Sequence, residues 1–482
     1  MEDNRVELKK TLNPATVWAL ALGSIIGWGA FVLPGNFLAK SGPLGSSLGF
    51  LIGAVFMMVI ASSYGYMVKN FPVAGGEFAY AYKAFGRHHA YICGWFLTLG
   101  YLSIVALNGT ALAVLGKFVL PGVFARGYMY SIAGWEVYLG EVLLSCIAII
   151  LFGVFNYRGV KIMGRAQLLI VSLLCGGVVL IGFGTFLDPG AAISNLKPAF
   201  APDKTMFASI AAVLAIAPFL YVGFDTIPQS AEEFDFPHDK SFKLMFWAIL
   251  IGALMYTVVT VGTAIASPWQ QLLATEPTWA TGQSMQETLG NWGLMFLSLS
   301  LLMGICSGIN GFFMATSRLL FSMGRARVIP KFFTDIHPKY QTPYKAVIFT
   351  LILSITAPWF GRQVVIWIVD MAAVGTAIGY LYTCLSAYLG FKYSPDLEGA
   401  SKGKSVALLG TFFSLVILGL LIIPGSPAFL TPPSWIALAS WIAIGVFFYM
   451  TMVKEYLQIP KATLDHLVFG DSKVEDVIEK SA

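Results

Sequence analysis

Trp18-Ala-Leu-Ala-Leu-Gly23-Ser24-Ile25-Ile26-Gly27-Trp28-Gly29-Ala30-Phe31-Val32-Leu33-Pro34 is apolar enough to cross a membrane yet poorly made for a helix. Each of its three glycines costs roughly 1 kcal/mol relative to alanine in a helix interior. The spacing therefore predicts local unwinding near Gly27–Gly29. A second stretch carries a matching fault: Ala217-Pro218-Phe219-Leu220-Tyr221-Val222-Gly223-Phe224-Asp225-Thr226-Ile227-Pro228. Pro218 removes a backbone donor and Gly223 loosens the chain. Asp225, followed by Pro228, reads as an N-cap with proline in the first turn.

Around these two stretches the chain is apolar throughout. Of 482 residues, 57% are hydrophobic and 11% charged, against roughly 25% charged in an ordinary soluble domain. Uncharged runs such as 171–187, 244–268 and 408–439 are long enough to span hydrocarbon, which takes about 20 helical residues. The net charge of +5 is spread over the ends of apolar segments, with no basic run interleaved with aromatics, so a nucleic-acid partner is not expected. Cys93, Cys146, Cys175, Cys306 and Cys384 lie inside apolar segments without CxxC spacing and read as core residues. The five histidines show no HExxH or paired-carboxylate spacing, so neither a metal centre nor a cofactor is expected. Only polar residues 1–10 precede the first span, and no small-residue cleavage site ends it, so a signal peptide is not expected.

Breaking the chain at charge clusters and Pro/Gly punctuation gives twelve spans, near 14–40, 46–68, 89–117, 136–157, 166–187, 206–231, 243–267, 290–323, 344–360, 364–391, 405–424 and 434–453. With the N-terminus inside, only Lys40, Lys117, Arg126, Lys197, Lys204 and Arg362 fall outside, leaving 24 of the 30 Lys/Arg on the inner face. That bias predicts cytoplasmic termini in a cell membrane. The expected class is an all-α polytopic membrane protein lying in a lipid bilayer.

Gly27 and Gly223 lie 196 residues apart, each in the first of five consecutive spans. An odd number of spans per half inverts the second half. This predicts a five-plus-five inverted repeat with discontinuous helices 1 and 6, in segments 1–190 and 191–395. Two further helices over 396–455 and a cytoplasmic tail over 456–482 follow. Paired interruptions are the sequence pointer to a transporter's midplane site. On this reading the amides near Gly27, Trp28 and Gly29 suit a carboxylate, and the carbonyls of Ile25, Phe219 and Val222 suit an ammonium. The alternative is that these glycines serve close helix packing.

At these segments the sequence resembles the amino acid-polyamine-organocation superfamily, in particular bacterial amino acid permeases, over roughly residues 12–395. The resemblance rests on Gly23-Ser24-Ile25-Ile26-Gly27-Trp28-Gly29-Ala30-Phe31, Pro72-Val-Ala-Gly75-Gly76-Glu77-Phe78-Ala79-Tyr80, Tyr221-Val-Gly223-Phe224-Asp225 leading to Ala231-Glu232-Glu233, and Ser317-Arg318-Leu-Leu-Phe321 leading to Val328-Ile329-Pro330. It implies the inverted-repeat fold, alternating-access movement of an amino acid or amine, and aromatic gates at Phe312 and near Phe219. Two departures stand out. Many relatives carry a lysine seven residues after the glutamine matching Gln167, where this chain has Leu174, and a small residue where it has Trp28.

Coupling is left open among three versions. A proton on Asp225 is one, and substrate exchange or facilitation without an ion is another. The third is sodium held by carbonyls near Gly23 and the hydroxyls of Thr316 or Ser317, since a hard cation prefers oxygen. Glu77, Glu232, Glu233, Asp235 and Arg318 read as a cluster at the cytoplasmic face able to close an inner gate by ion pairing. Asp370 reads as a group near the outer gate or as a structural partner for a hydroxyl. Trp28, Phe219, Tyr221 and Phe312, with no midplane carboxylate beyond Asp225, favour a neutral or zwitterionic solute. A membrane-embedded enzyme finds no nucleophile–base pair to support it. A transporter-like nutrient receptor would need a longer cytoplasmic domain than the short tail here.

Overall fold

A computed structural model describes residues 5–277, 279–393 and 400–470. Asn13 starts the first helix by accepting the Thr16 amide, with Pro14 at the first helical position. The helix, α1 (Pro14–Ile25), runs through Gly23 and stops just before Gly27. A single turn, α2 (Gly29–Val32), continues beyond the gap, and Pro34 opens α3 (Pro34–Asn70). The expected boundary at 40–46 is a kink inside α3. There Gly42 takes φ 70° ahead of Pro43, and a Cβ on Gly42 would lie 2.7 Å from Phe200 Cα.

A Gly75–Gly76 turn leads into α4 (Glu77–Phe85), and Gly86 separates α4 from α5 (Arg87–Val119). After the short α6 (Pro121–Phe124), the stretch expected as a loop folds into a hairpin, β1 (Tyr128–Ile132) against β2 (Trp135–Tyr138). Its Trp135 ring lies 4.4 Å from Lys117 Nζ and its indole donates to Glu141, whose carboxylate also caps α7 (Leu139–Arg158). Local side-chain bonding thus holds two strands that apolar periodicity alone did not announce. The next long helix is α8 (Val160–Leu187).

The sixth apolar segment never forms one helix. It runs as α9 (Met206–Leu214), α10 (Ala217–Leu220) and α11 (Thr226–Gln229), with residues 221–225 irregular between the last two. Then come α12 (Ser241–Ile265), α13 (Trp269–Ala274) and α14 (Ala280–Arg325). α14 begins ten residues before the predicted span because Gly290, at φ 62°, lets two helices join across a bend. A 3-10 turn at Ala357–Phe360 and Gly361 at φ 72° divide α15 (Tyr344–Thr356) from α16 (Gly361–Tyr393). The chain ends in α17 (Ala400–Ile422), α18 (Pro432–Gln458) and α19 (Lys461–Phe469). α19 falls within the expected tail yet packs: Asp465 accepts from Tyr82 at 2.7 Å, and the Phe469 ring stacks 5.9 Å from Tyr82. Residues 471–482 lie outside the described residues.

Nine helical segments among the described residues are long and apolar enough to cross a membrane, and Pro14–Ile25 and Met206–Leu220 are shorter apolar helices. The molecule is therefore a multi-pass helical membrane protein. Large apolar side chains such as Leu408, Phe412, Phe447 and Met450 point outward, a surface suited to hydrocarbon solvent. Polar groups turn inward instead, as in the amide network of Gln167, Asn310 and Asn156 that ties α8, α14 and α7. At the centre α1 packs on α8, α12 and α14, so both interrupted spans meet in the middle of the bundle.

Candidate functional site

The two interruptions touch. Gly223 has φ 138°, and a Cβ there would lie 2.7 Å from Ile25 N and from the Ser24 carbonyl carbon. Only glycine allows this approach, because both neighbours are backbone that cannot swing aside. Gly27 is different. Its nearest neighbour would be Asn108 Oδ1 at 3.7 Å, because beyond it lies a cavity of about 190 Å³.

Ile25, Gly27, Trp28, Gly29, Phe219, Val222 and Phe312 all line that cavity. Tyr221 does not; it is fully buried and donates to the Phe50 carbonyl at 2.8 Å, bracing α3. Gly223 lies behind the cavity, in the backbone contact just described. Four polar residues that the sequence reading did not single out also border the cavity: Ser24, Asn108, Tyr256 and Thr376. Ser24 Oγ and Asn108 Oδ1 are buried with no hydrogen-bond partner among the described residues. Tyr256 Oη reaches both breaks, 3.3 Å from the Ile25 carbonyl and 3.4 Å from the Leu220 carbonyl. Among the described residues no charged side chain lines the cavity. Buried polar atoms without partners are uncommon, so these two acceptors suit a polar solute.

The Gly27 N–H is already used, donating to the Ile25 carbonyl at 3.2 Å. The N–H groups of Trp28 and Gly29 have no backbone acceptor among the described residues, as suits the first turn of a half-helix. Asp225 stands at the expected N-cap position of α11. Its carboxylate makes no capping bond to α11; it reaches back to the Gly223 N–H at 2.8 Å and takes the Tyr101 hydroxyl at 3.0 Å.

The sodium candidates are not brought together. Gly23 backs onto α8 and α14, where a Cβ would meet Ser307 Oγ and Gln167 Nε2. Thr316 is nine residues past Ser307, about 13 Å along the helix at 1.5 Å per residue. Thr316 Oγ1 donates to the Phe312 carbonyl, and Ser317 Oγ donates to the Met314 carbonyl and accepts from Arg318.

A second cavity of about 490 Å³ shares Trp28 with the first and is bordered by Val32, Phe118, Trp279 and Arg362. The Trp28 ring forms the floor between the two. Arg362 Cζ sits 4.7 Å from the ring centroid, and its guanidinium donates to Thr110, a stacking worth about 0.5–2 kcal/mol according to its desolvation. Asp370, on the same helix as Arg362, faces Ser434 of α18.

The opposite end, which carries the N-terminal arm and α19, is sealed. Arg318 grips Glu233 through two bonds of 3.0 and 3.2 Å, and both side chains are buried. Arg325 grips Glu232 at 2.9 and 2.8 Å, Arg5 adds a third cation, and the Leu8 and Ala74 amides donate to the same carboxylate. Burial pushes Glu232 upward, but Arg325 and Arg5 outweigh it and hold the carboxyl down to about 2. The arm itself is anchored by the Thr11 and Leu12 amides on the Glu233 carbonyl. Of the acidic residues expected in this cluster, Asp235 is exposed, whereas Glu77 has turned away into the bundle.

A multi-pass helical bundle with a small internal cavity where two spans unwind, floored on one side and sealed on the other, defines a membrane permease. The chain belongs to the amino acid permease family of the amino acid-polyamine-organocation superfamily, which matches residues 12–448. It is 27% identical over 406 residues to cationic amino acid transporter 2, vacuolar, of Arabidopsis thaliana, a match covering 81% of this chain and 61% of that protein. The chain thus spans under two thirds of the plant relative's length. It is 23% identical over 425 residues to the branched-chain amino acid permease BcaP of Bacillus subtilis (strain 168), covering 86% and 89%. The methylthioribose transporter of the same bacterium is 22% identical over 468 residues, covering 94% and 95%.

Proposed function

We propose that this chain is a secondary transporter that carries neutral or zwitterionic amino acids, or small amines, across the cytoplasmic membrane by alternating access. The observation that carries the reading is the uncharged cavity at the two breaks, with Ser24 Oγ and Asn108 Oδ1 unpartnered on its wall. Amides of Trp28 and Gly29 take the carboxylate. Asn108, Ser24 and the carbonyls of Ile25, Phe219 and Val222 take the ammonium, and Phe312 and Phe219 close over the side chain. A lining without carboxylates disfavours cationic side chains.

Twelve spans result when each interrupted segment counts once and Tyr344–Tyr393 is divided at Gly361. Helix contacts support the inverted repeat over spans one to ten. α5 (span three) lies on α16 (span ten) as α14 (span eight) lies on α8 (span five), and α1 (span one) lies on α12 (span seven) as the sixth segment lies on α3 (span two). The Lys/Arg bias favours a cytoplasmic place for the sealed end; on that reading this conformation faces outward, with Trp28 between the central cavity and the outer one. Uptake of labelled amino acids into proteoliposomes tests the reading. Transport of leucine-like or small neutral amino acids is expected, and failure to bind or move any amino acid or amine overturns it.

A second reading has its own support. An uncharged wall with free acceptors also suits a neutral polar solute, and the methylthioribose transporter covers nearly the whole chain. Binding separates the two: a labelled neutral thio-sugar that is bound and moved, and that no amino acid displaces, favours the second.

A further inference from the structure

Beside the central cavity, two carboxyl groups share one phenol. Glu77 in the first turn of α4 and Asp225 in the span-six break are both fully buried. Tyr101 Oη lies 3.2 Å from Glu77 Oε1 and 3.0 Å from Asp225 Oδ2. A phenol has a single proton to donate. The second short oxygen–oxygen contact therefore needs a proton that belongs to a carboxyl. Two buried anions this close, with no cation between them, would repel and lose their hydration together.

The groups around the pair supply no cation. Tyr64 of α3 donates to Glu77 Oε1 at 3.0 Å, the Gln229 amide of α11 donates to Oε2, and the Gly223 N–H donates to Asp225 Oδ1. Tyr380 faces the pair from α16, Cys93 faces Glu77 from α5, and Tyr80 faces it from α4 itself. Arg318 on α14 is committed to Glu233. Two more buried polar atoms at the same place have no partner among the described residues: Gln229 Oε1, the other end of the amide that holds Glu77, and Tyr380 Oη. One is an acceptor and the other a donor, so the network has places for a proton and the water that delivers it.

We propose that Glu77 and Asp225 form one proton-binding site, which holds a single shared proton in this conformation and couples its release to movement of the span-six break. The proposal rests on the transport reading above. Binding converts a carboxylate to a carboxylic acid, and release returns the proton to water, with no other bond made or broken. The mechanical links are short. Asp225 holds the Gly223 amide at the break, and the Tyr101 ring lies 5.8 Å from that of Phe312, which lines the cavity. Losing the proton leaves two anions on one phenol, and their repulsion separates α4 from the break on the side where the seal lies.

Two measurements on the full chain test this. Infrared difference spectra of the purified protein should show the carbonyl stretch of one protonated carboxylic acid near pH 7, lost or shifted in both E77Q and D225N. In proteoliposomes, one proton per solute lets a gradient of about one pH unit sustain about tenfold accumulation. E77Q should accumulate no solute above equilibrium yet still exchange it in counterflow. Absence of a protonated carboxyl between about pH 5 and 8, or a band unchanged in both variants, overturns the site. A band present with accumulation indifferent to the gradient overturns the coupling. If the wild type binds and moves no amino acid or amine, the transport reading fails, and the infrared result alone still decides the proton site.

Discussion

Gly27 and Gly223 occupy matching places in sequence and do opposite work. A side chain at Gly223 would strike the backbone of Ser24 and Ile25 at 2.7 Å, and the residue sits at φ 138°. A side chain at Gly27 would find 3.7 Å of clearance and project toward the cavity. One glycine lets the two broken spans meet; the other leaves space for what they hold. Two glycines that read alike on a helical template are thus separated by what faces them, since the cost of a Cβ depends on the neighbour and not on the local chain.

Breaking the comparison at its tighter end should have the largest effect. G223A combines left-handed strain of about 1–2 kcal/mol with overpacking of about 1–3 kcal/mol, so a marked fall in melting temperature and in monodisperse yield is expected. R318A, which strips Glu233 of its cation just beyond the same break, should cost about 3–5 kcal/mol in the sealed conformer. A cysteine placed at the sealed end should then become reactive to impermeant thiol reagents from that side. Unchanged labelling would show that the ion pair is not the seal.

At the roomier end, G27A should fold with near-normal stability but bind solute about tenfold more weakly, a loss of about 1.4 kcal/mol read by calorimetry. A G27A protein as unstable as G223A would erase the distinction between the two breaks. N108A removes one free acceptor worth about 0.5–1.5 kcal/mol, and a drop in affinity of a few fold is expected, with maximal uptake little altered. The smallest effect is a flat one. Glu232 is held below its ordinary value, so its contribution is complete above about 4.5 and is lost only as pH falls toward 2. Melting temperature should not vary with pH between about 6 and 8 through this group, and E232Q should leave that plateau in place while lowering it.

Much of this architecture was legible in the chain. Apolar runs, the charge bias and the two faulty spans are local properties, and seven of the nine residues read as substrate contacts do border the cavity. Others were misplaced for physical reasons. Tyr221 has the right spacing but points to the Phe50 carbonyl, because its phenol needs a partner in an apolar bundle. Glu77 read as a charge at the membrane face, but the Gly75–Gly76 turn rotates it inward onto Tyr64 and Tyr101. Asn108 lies mid-helix in an apolar span, and intramembrane polar side chains of that kind are themselves a signal. The hairpin at 128–138 straddles an expected connection and the start of the fourth expected span, and its Trp135 is held by Lys117 and Glu141, which lie outside it.

By itself the sequence determined that this protein lives in hydrocarbon and that two of its apolar spans are interrupted, because these follow from composition and backbone preference summed over neighbouring residues. Only the tertiary structure decided that Gly223 is pressed against Ser24 while Gly27 borders a cavity, that Trp28 under Arg362 divides this cavity from a second one, and that Glu77 meets Asp225 through one phenol. Those are contacts between residues as many as 334 positions apart, and which groups face each other across such distances is set by packing, not by the local chain.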